Sequence, residues 1–304
     1  MFCFIKRLKI IRKYKNCDIF KPCNIKIDKS ANININGYFN FNFPCILDKK
    51  NYLAGELIIC KDATLEVKGC FSVYAGSSIA INEGASLILG NGYMNLNSKI
   101  RCREKIVIGD GTFISEDVHI RDSDTHSILN SNHVKTQPVY IGKNCKLMYN
   151  SYVRPGTIME DDCVIGFCSE IKHTIMRSGS KISDLAFVGD SIIGKNSRIG
   201  SGVIVANRGF NQSNIIIKDE EKNQINLNRE TIGIILGDNS RIGSNCTTSP
   251  GTFVGKFTWV YPHTCIHGFI PEEKKVYDKQ NMIFKPNEKK VLYKATNWNY
   301  GSYK

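Results

Sequence analysis

At 304 residues, with 42% hydrophobic and 23% charged side chains, the chain has the make-up of a globular protein with a sizeable core. No apolar run reaches the eighteen or so residues that a membrane-spanning helix needs. The net charge of +13 implies anionic partners, yet the basic residues are scattered without the aromatic-basic signature of a nucleic-acid module, so nucleic acid is not expected among them.

In chain order, Phe4, Ile5, Leu8 and Ile11 stand at helical spacing among Lys and Arg, which predicts a short basic amphipathic helix within residues 1–23. Two roles fit it: a cap on the following domain, or a peripheral foot, through residues 1–15, on an anionic membrane surface. Charge and apolar residues interleave there and no small-residue cleavage site follows, so a secretory signal is not expected and the location reads as cytoplasmic. The twelve cysteines include no Cys-x-x-Cys and read as small buried hydrophobes of a reducing compartment.

From residue 24 the chain becomes short Ile, Val and Leu runs divided by Gly, Asn, Asp and Ser, which predicts an all-β fold. An aliphatic residue recurs every sixth position: Ile108, Ile114 and Ile120; Ile141, Leu147, Val153, Met159, Ile165 and Ile171; Ile193, Ile199 and Val205; then Leu236, Ile242, Val254, Val260 and Ile266, with Thr248 holding one place. Hairpins do not produce so long a six-residue rhythm; a solenoid does. The rhythm breaks at residues 122–138 and 207–231, and loops that leave a rigid solenoid are where binding and chemistry concentrate. The repeat is expected to end near 272, with 273–304 as a C-terminal cap over its open end.

The Ile-Gly and Val-Gly hexads, among them Ile108-Gly, Ile141-Gly, Ile165-Gly and Ile242-Gly, resemble those of the hexapeptide-repeat transferases. The resemblance implies a left-handed parallel β-helix with three hexads to a coil, and a homotrimer with its clefts between parallel coils. Over residues 50–145, Asp122, Asp124, His126, Ser127 and Ile128 resemble the Asp-x-Asp-x-His-Ser-Ile segment of bacterial polysaccharide O-acetyltransferases. That likeness implies an acetyl-CoA co-substrate and makes His126 the general base, with Asp122 or Asp124 orienting its ring; a histidine suits the task because its pKa lies near the working pH.

Residues 150–272 are similar instead to the acetyltransferase half of N-acetylglucosamine-1-phosphate uridyltransferase and related sugar-1-phosphate nucleotidyltransferases, through Val153-Arg-Pro-Gly-Thr, Ile165-Gly-Phe-Cys-Ser-Glu-Ile-Lys and the segments that follow. By that likeness Arg154 and Lys172 bind a sugar phosphate, and Ser244 and Pro262 touch the acyl donor. Asp184 stands where the family has its catalytic histidine, Phe187 where it has a tyrosine, and Arg198 where it has a sugar-binding asparagine. The sequence thus predicts an acetyltransferase acting on a sugar of a surface polysaccharide, its lipid-linked precursor or a nucleotide sugar. The alternative is a non-catalytic module that binds sugar phosphates or nucleotide sugars. His119, His126 and His133 have no metal-site spacing, and no metal is assigned.

Overall fold

The computed structural model describes residues 15–44, 53–124, 136–219, 221 and 223–279. His126 and residues 1–14 of the expected N-terminal helix lie outside these, as do residues 280–304. Among the described residues there is no helix. The strands form three parallel sheets, of twelve, eleven and eleven strands, and successive strands visit the first, second and third sheet in turn. The chain therefore winds as a three-sided coil, the all-β parallel architecture that the resemblance implies.

The winding follows from the hexad. In a strand of two to six residues, one aliphatic side chain per hexad points inward and stacks on its counterparts in the coils above and below. Ile114 pairs with Leu147, Leu147 with Ile165, Ile165 with Ile182, Ile182 with Ile199, and Ile199 with Ile242. All are buried, and each such burial contributes about 1.5–3 kcal/mol. Between hexads the chain turns a corner, which needs a residue in the left-handed region; Asn97, Asn144, Asn196 and Asn245 lie there, with φ of 58°, 54°, 52° and 55°.

The coil begins earlier than the sequence suggests. Cys17–Ile19 and Cys23–Ile27 are already strands, paired with Tyr38–Phe43 and Gly55–Ile59, so a helix cannot extend to residue 23. It also runs on past 272, because Lys275–Val276 pairs with Trp259–Val260 as the last strand of the first sheet. Neither end shows the six-residue rhythm clearly enough to be read. Among the described cysteines, Cys17, Cys102, Cys145, Cys163 and Cys246 are buried as expected, whereas Cys70, Cys168 and Cys265 are exposed.

Both breaks in the rhythm fall on one edge of the prism. The first leaves after the second-sheet strand His119–Arg121 and returns to the third-sheet strand Val139–Ile141; the second leaves after Ile204–Val205 and returns to Ile234–Leu236. Each is closed at its neck by an antiparallel bridge, Ser123 to Thr136 in one and Arg208 to Thr231 in the other. The second carries an antiparallel hairpin of Ile216–Lys218 with Gln224–Asn226.

Asp122 pins the first excursion. Its buried carboxylate accepts the backbone N–H groups of Arg103, Glu104 and Lys105, each at 2.8 Å. Replacing it by alanine strands those donors, so Asp122→Ala should lower the unfolding free energy by about 3 kcal/mol, measured by urea denaturation. Glu83→Ala, which removes an exposed partner of Lys61, should leave the transition where it is. Equal effects from the two changes would contradict the pinning role.

Candidate functional site

Along the edge between the second and third sheets, the backbone forms a vertical ladder from one excursion to the other. Gly156 donates to the Gln137 carbonyl, His173 to that of Pro155, Asp190 to that of Lys172, and Gly233 to that of Asp190. Two corners on this edge are one residue short. The inward residues step by five, not six, from Ile171 to Met176 and from Val188 to Ile193. The residues absorbing the tighter turn are His173, at φ 45°, and Asp190, at φ 51°. Left-handed backbone is common to the corners of this coil, so what sets these two apart is the shortened step.

The two short corners stack and bring their side chains together. His173 Nδ1 lies 3.2 Å from Asp190 Oδ1. Asp190 also accepts Thr231 Oγ1 at 3.1 Å and a close bond from Asn207 Nδ2. Because Asn207 and Thr231 lie at either neck of the second excursion, that excursion locks the carboxylate in place. Burial alone would push the Asp190 carboxyl up, but the bonds from His173 and Asn207 and the nearby Lys172 charge outweigh it, and the net shift is downward. In the neutral tautomer whose Nδ1–H donates to Asp190, Nε2 keeps its lone pair. Among the described residues, Nε2 has no hydrogen-bond partner.

A cleft of about 480 Å³ opens beside this pair. Gln137 from the first excursion and Arg229 and Thr231 from the second form two of its walls, and the outward side chains of Ile158, Ile175, Ile192 and Ile235 form an apolar third. An apolar wall with a few convergent polar groups is the usual make-up of a small-molecule site. Gly156 forms part of the floor with φ of 68°; a Cβ there would run into Gln137 and come within 2.7 Å of the His173 ring.

The residues singled out in the sequence are distributed as follows. Asp124, two positions before His126, forms an ion pair of 2.8 Å with Arg154, and Arg154 binds Glu170 at 2.6 Å. Burial raises the Asp124 carboxyl, but the Arg154 bond, with the His173 and Lys172 charges, carries the net shift downward. The Arg154 guanidinium is thus shared by two carboxylates. Lys172 lies beside it on the second sheet, its Cε 3.2 Å from the place a Cβ on Gly189 would take. Asp124, Arg154, Lys172 and His173 accordingly share one corner region. Asp122 lies at that corner too, but both its oxygens are committed to backbone N–H groups.

Ser244 and Pro262 stand elsewhere. Both are exposed, on the edge between the first and second sheets, in successive coils stacked through a bond from His263 N to the Ser244 carbonyl. Asp184 occupies the same edge and accepts the Phe167 N–H at 2.9 Å. Arg198 is on the first sheet, its Nε donating to Ser183 Oγ at 3.1 Å. Within one chain the structure does not bring these residues to the cleft.

Sequence reasoning missed His173 and Asp190. The signal was present: the six-residue rhythm slips by one at Ile171 to Met176 and again at Val188 to Ile193, and each five-residue step contains one of the pair.

One family model falls on the same stretch. The family model described as GMPPB C-terminal domain matches residues 135–232, which include Gln137, His173, Asp190 and Thr231, and the model described as hexapeptide repeat of succinyl-transferase matches 231–256. The bifunctional protein GlmU of Methanococcus aeolicus is 30% identical over 139 residues, 46% of this chain and 33% of that protein. The bifunctional sugar-1-phosphate nucleotidylyltransferase/acetyltransferase of Sulfurisphaera tokodaii is 34% identical over 118 residues, 39% and 29% of the two chains. The chain thus spans about a third of the length of these curated relatives. Solved structures that align with it include LpxA from Acinetobacter baumannii, 11% identical over 83% of this chain and 67% of that one with a TM-score of 0.31, and the polysialic acid O-acetyltransferase OatWY, 13% identical over 94% and 95% with a TM-score of 0.26. The three-sided parallel coil and its six-residue rhythm agree with the hexapeptide repeat matched at 231–256, and over that stretch the chain is similar to hexapeptide-repeat proteins.

Proposed function

We propose that the protein is an acyltransferase that moves an acetyl group from acetyl-CoA to a hydroxyl or amine of a sugar. The acceptor is a sugar of a surface polysaccharide, of its lipid-linked precursor or of a nucleotide sugar. The observation that carries the proposal is the His173–Asp190 pair at a cleft between two excursions, inside residues 135–232, which match the family model described as GMPPB C-terminal domain. Asp190 fixes the ring through Nδ1, and Nε2 takes the proton of the acceptor as its oxygen or nitrogen attacks the thioester carbonyl. A C–O or C–N bond forms, the C–S bond breaks, and the thiolate of coenzyme A leaves with the proton that Nε2 held.

His126 is the second base in view. It rests on the Asp-x-Asp-x-His segment, whose Asp124 is tied by Arg154 to the strand that leads into His173. Arg154 and Lys172 remain the proposed contacts for the sugar, with Arg154 acting through Asp124 and Glu170. Ser244 and Pro262 remain the proposed donor contacts. They lie on another edge of the coil, so a donor held there reaches His173 only across a contact between copies, and the homotrimer belongs to the proposal for that reason. A cytoplasmic site of action, with residues 1–15 resting on a membrane surface, completes it.

Acetyl-CoA turnover over a panel of nucleotide sugars and glycans tests the chemistry. His173→Ala should reduce kcat about 10²–10⁴-fold, with a smaller loss in Asp190→Asn; unchanged turnover in His173→Ala alongside a loss in His126→Ala would transfer the role to His126. No turnover by the wild type with any acceptor would instead favour the binding module.

Gly156→Ala introduces a Cβ against the His173 ring at a left-handed position. It should lower kcat and cost about 1 kcal/mol of stability, read by steady-state kinetics beside thermal melts. An alanine variant as active and as stable as wild type would show that the floor of the cleft does not hold the ring.

The Asp190 carboxyl is lowered in the fold, so its stabilising contribution is complete above the usual carboxylate range and disappears as pH falls through its depressed pKa. Below about pH 4, wild-type stability should fall more steeply than that of Asp190→Asn in urea melts across pH; parallel curves would remove Asp190 from the acid limb.

A further inference from the structure

Directly upstream of the cleft, the second sheet carries a column of cations. Arg101 lies opposite Arg121, and the register of the next strands puts Arg154 after Arg121 and Lys172 after Arg154. A second column beside it holds Lys99 opposite His119. Arg154 is balanced by Asp124 and Glu170. Among the described residues, Lys99, Arg101, His119 and Arg121 enter no ion pair.

Carboxylates nearby are engaged elsewhere or set aside. Glu56 accepts Ser78 Oγ at 2.9 Å, Glu116 accepts Asn95 Nδ2 at 3.4 Å, and Asp117 turns the corner before His119 with φ of 55°. Like charges directly opposed on neighbouring strands destabilise a sheet. Burial, and then repulsion from Arg121, lowers the Arg101 pKa against the pull of Glu56; burial and the charges of Lys99, Arg101 and Arg121 lower that of His119. Arg121 Nη1 donates to the Tyr152 hydroxyl at 2.8 Å, which sets the plane of its fork, while its Nε is buried with no partner. Arg101 Nη1 donates to the carbonyls of Ser78 and Ile100, each at 3.1 Å, and Glu56 is the acid that draws on it. The half-buried guanidiniums of Arg101 and Arg121 are therefore two oriented donor groups on adjacent rungs, neither of them in an ion pair among the described residues.

We infer that Arg101 and Arg121, flanked by Lys99 and His119, form a binding site for a phosphate group. A guanidinium fork matches two phosphate oxygens, and neighbouring rungs let two forks converge on one group. Lys172 lies two rungs from Arg121, about 10 Å away at the spacing of paired strands, and His173 follows it at the corner. A sugar ring with its phosphate bridges that separation once the long side chains lean toward it. The site thus deepens the acyltransfer reading by making the acceptor a phosphorylated sugar, and only that identification of the ligand as the acceptor rests on the reading; the phosphate binding does not.

The experiment titrates inorganic phosphate into the full chain at fixed ionic strength, by calorimetry with the His119 ring resonances as a second readout. Saturable binding is expected, weakened about tenfold or more in Arg101→Gln and in Arg121→Gln. It should be unchanged in Arg208→Gln, whose partner is Glu230 on the second excursion. Circular dichroism and thermal melts establish that each variant is folded, and two separate arginine variants guard against the loss of one. Glucose 1-phosphate and uridine diphosphate then distinguish the source: tighter binding of the first, lost in the same variants, points to a sugar monophosphate, and of the second to a nucleotide sugar. Absence of saturable phosphate binding, or its survival in the double arginine variant, overturns the site. No turnover is needed, so the outcome stands apart from that of the acetyl-CoA assay.

Discussion

Stacking is the constraint on which the structure depends. Every coil must place its backbone N–H and C=O groups opposite those of the next, and its inward side chain over the one below. A displaced rung would leave unpaired backbone groups in the interior, where each lost bond costs about 1–3 kcal/mol. The flat runs therefore tolerate almost no change in length, and variation collects at the corners. Ile165, Ile182, Ile199 and Ile242 stay in register although the chain between the last two makes a long detour.

The same constraint explains what was legible in the sequence. An inward aliphatic residue every sixth position is required by stacking, so a solenoid, its core and its two excursions could be read from spacing, and its parallel winding came from the resemblance. The ends could not, because Cys17–Ile19 and Lys275–Val276 are single strands that finish a sheet with no full hexad beyond them. The candidate base escaped for a related reason. His173 has no motif around it; what marks it is a missing residue in the corner, and the pairing with Asp190 arises only when two such corners stack. Asp122 and Asp124 show the converse: both resemble an acetyltransferase segment in sequence, but their carboxylates serve the backbone of residues 103–105 and the Arg154 guanidinium.

Charge on the second sheet follows from its geometry. A parallel coil aligns equal positions of successive turns, so a cation at one place in the hexad stands over a cation at the same place in the next. Such columns are relieved in two ways here. Arg154 is relieved internally, by acids from an excursion and from a neighbouring hexad. Arg101 and Arg121 enter no ion pair among the described residues, and hydration or a bound anion must supply what the chain does not.

One edge gathers both excursions, the histidine–carboxylate pair and the lower end of the cation column, whereas Ser244 and Pro262 occupy a different edge. A triangular prism cannot turn two of its edges toward one cleft. A donor on the edge between the first and second sheets and an acceptor on the edge between the second and third meet only where two prisms stand side by side. The apolar outward column of Ile158, Ile175, Ile192 and Ile235 beside the cleft suits such a contact, since it runs parallel to the axis in unbroken register. On the proposed reading, then, the short corners and the excursions do complementary work: the corners set the base at the edge, and the excursions wall off the space in which a second chain would deliver the acyl group.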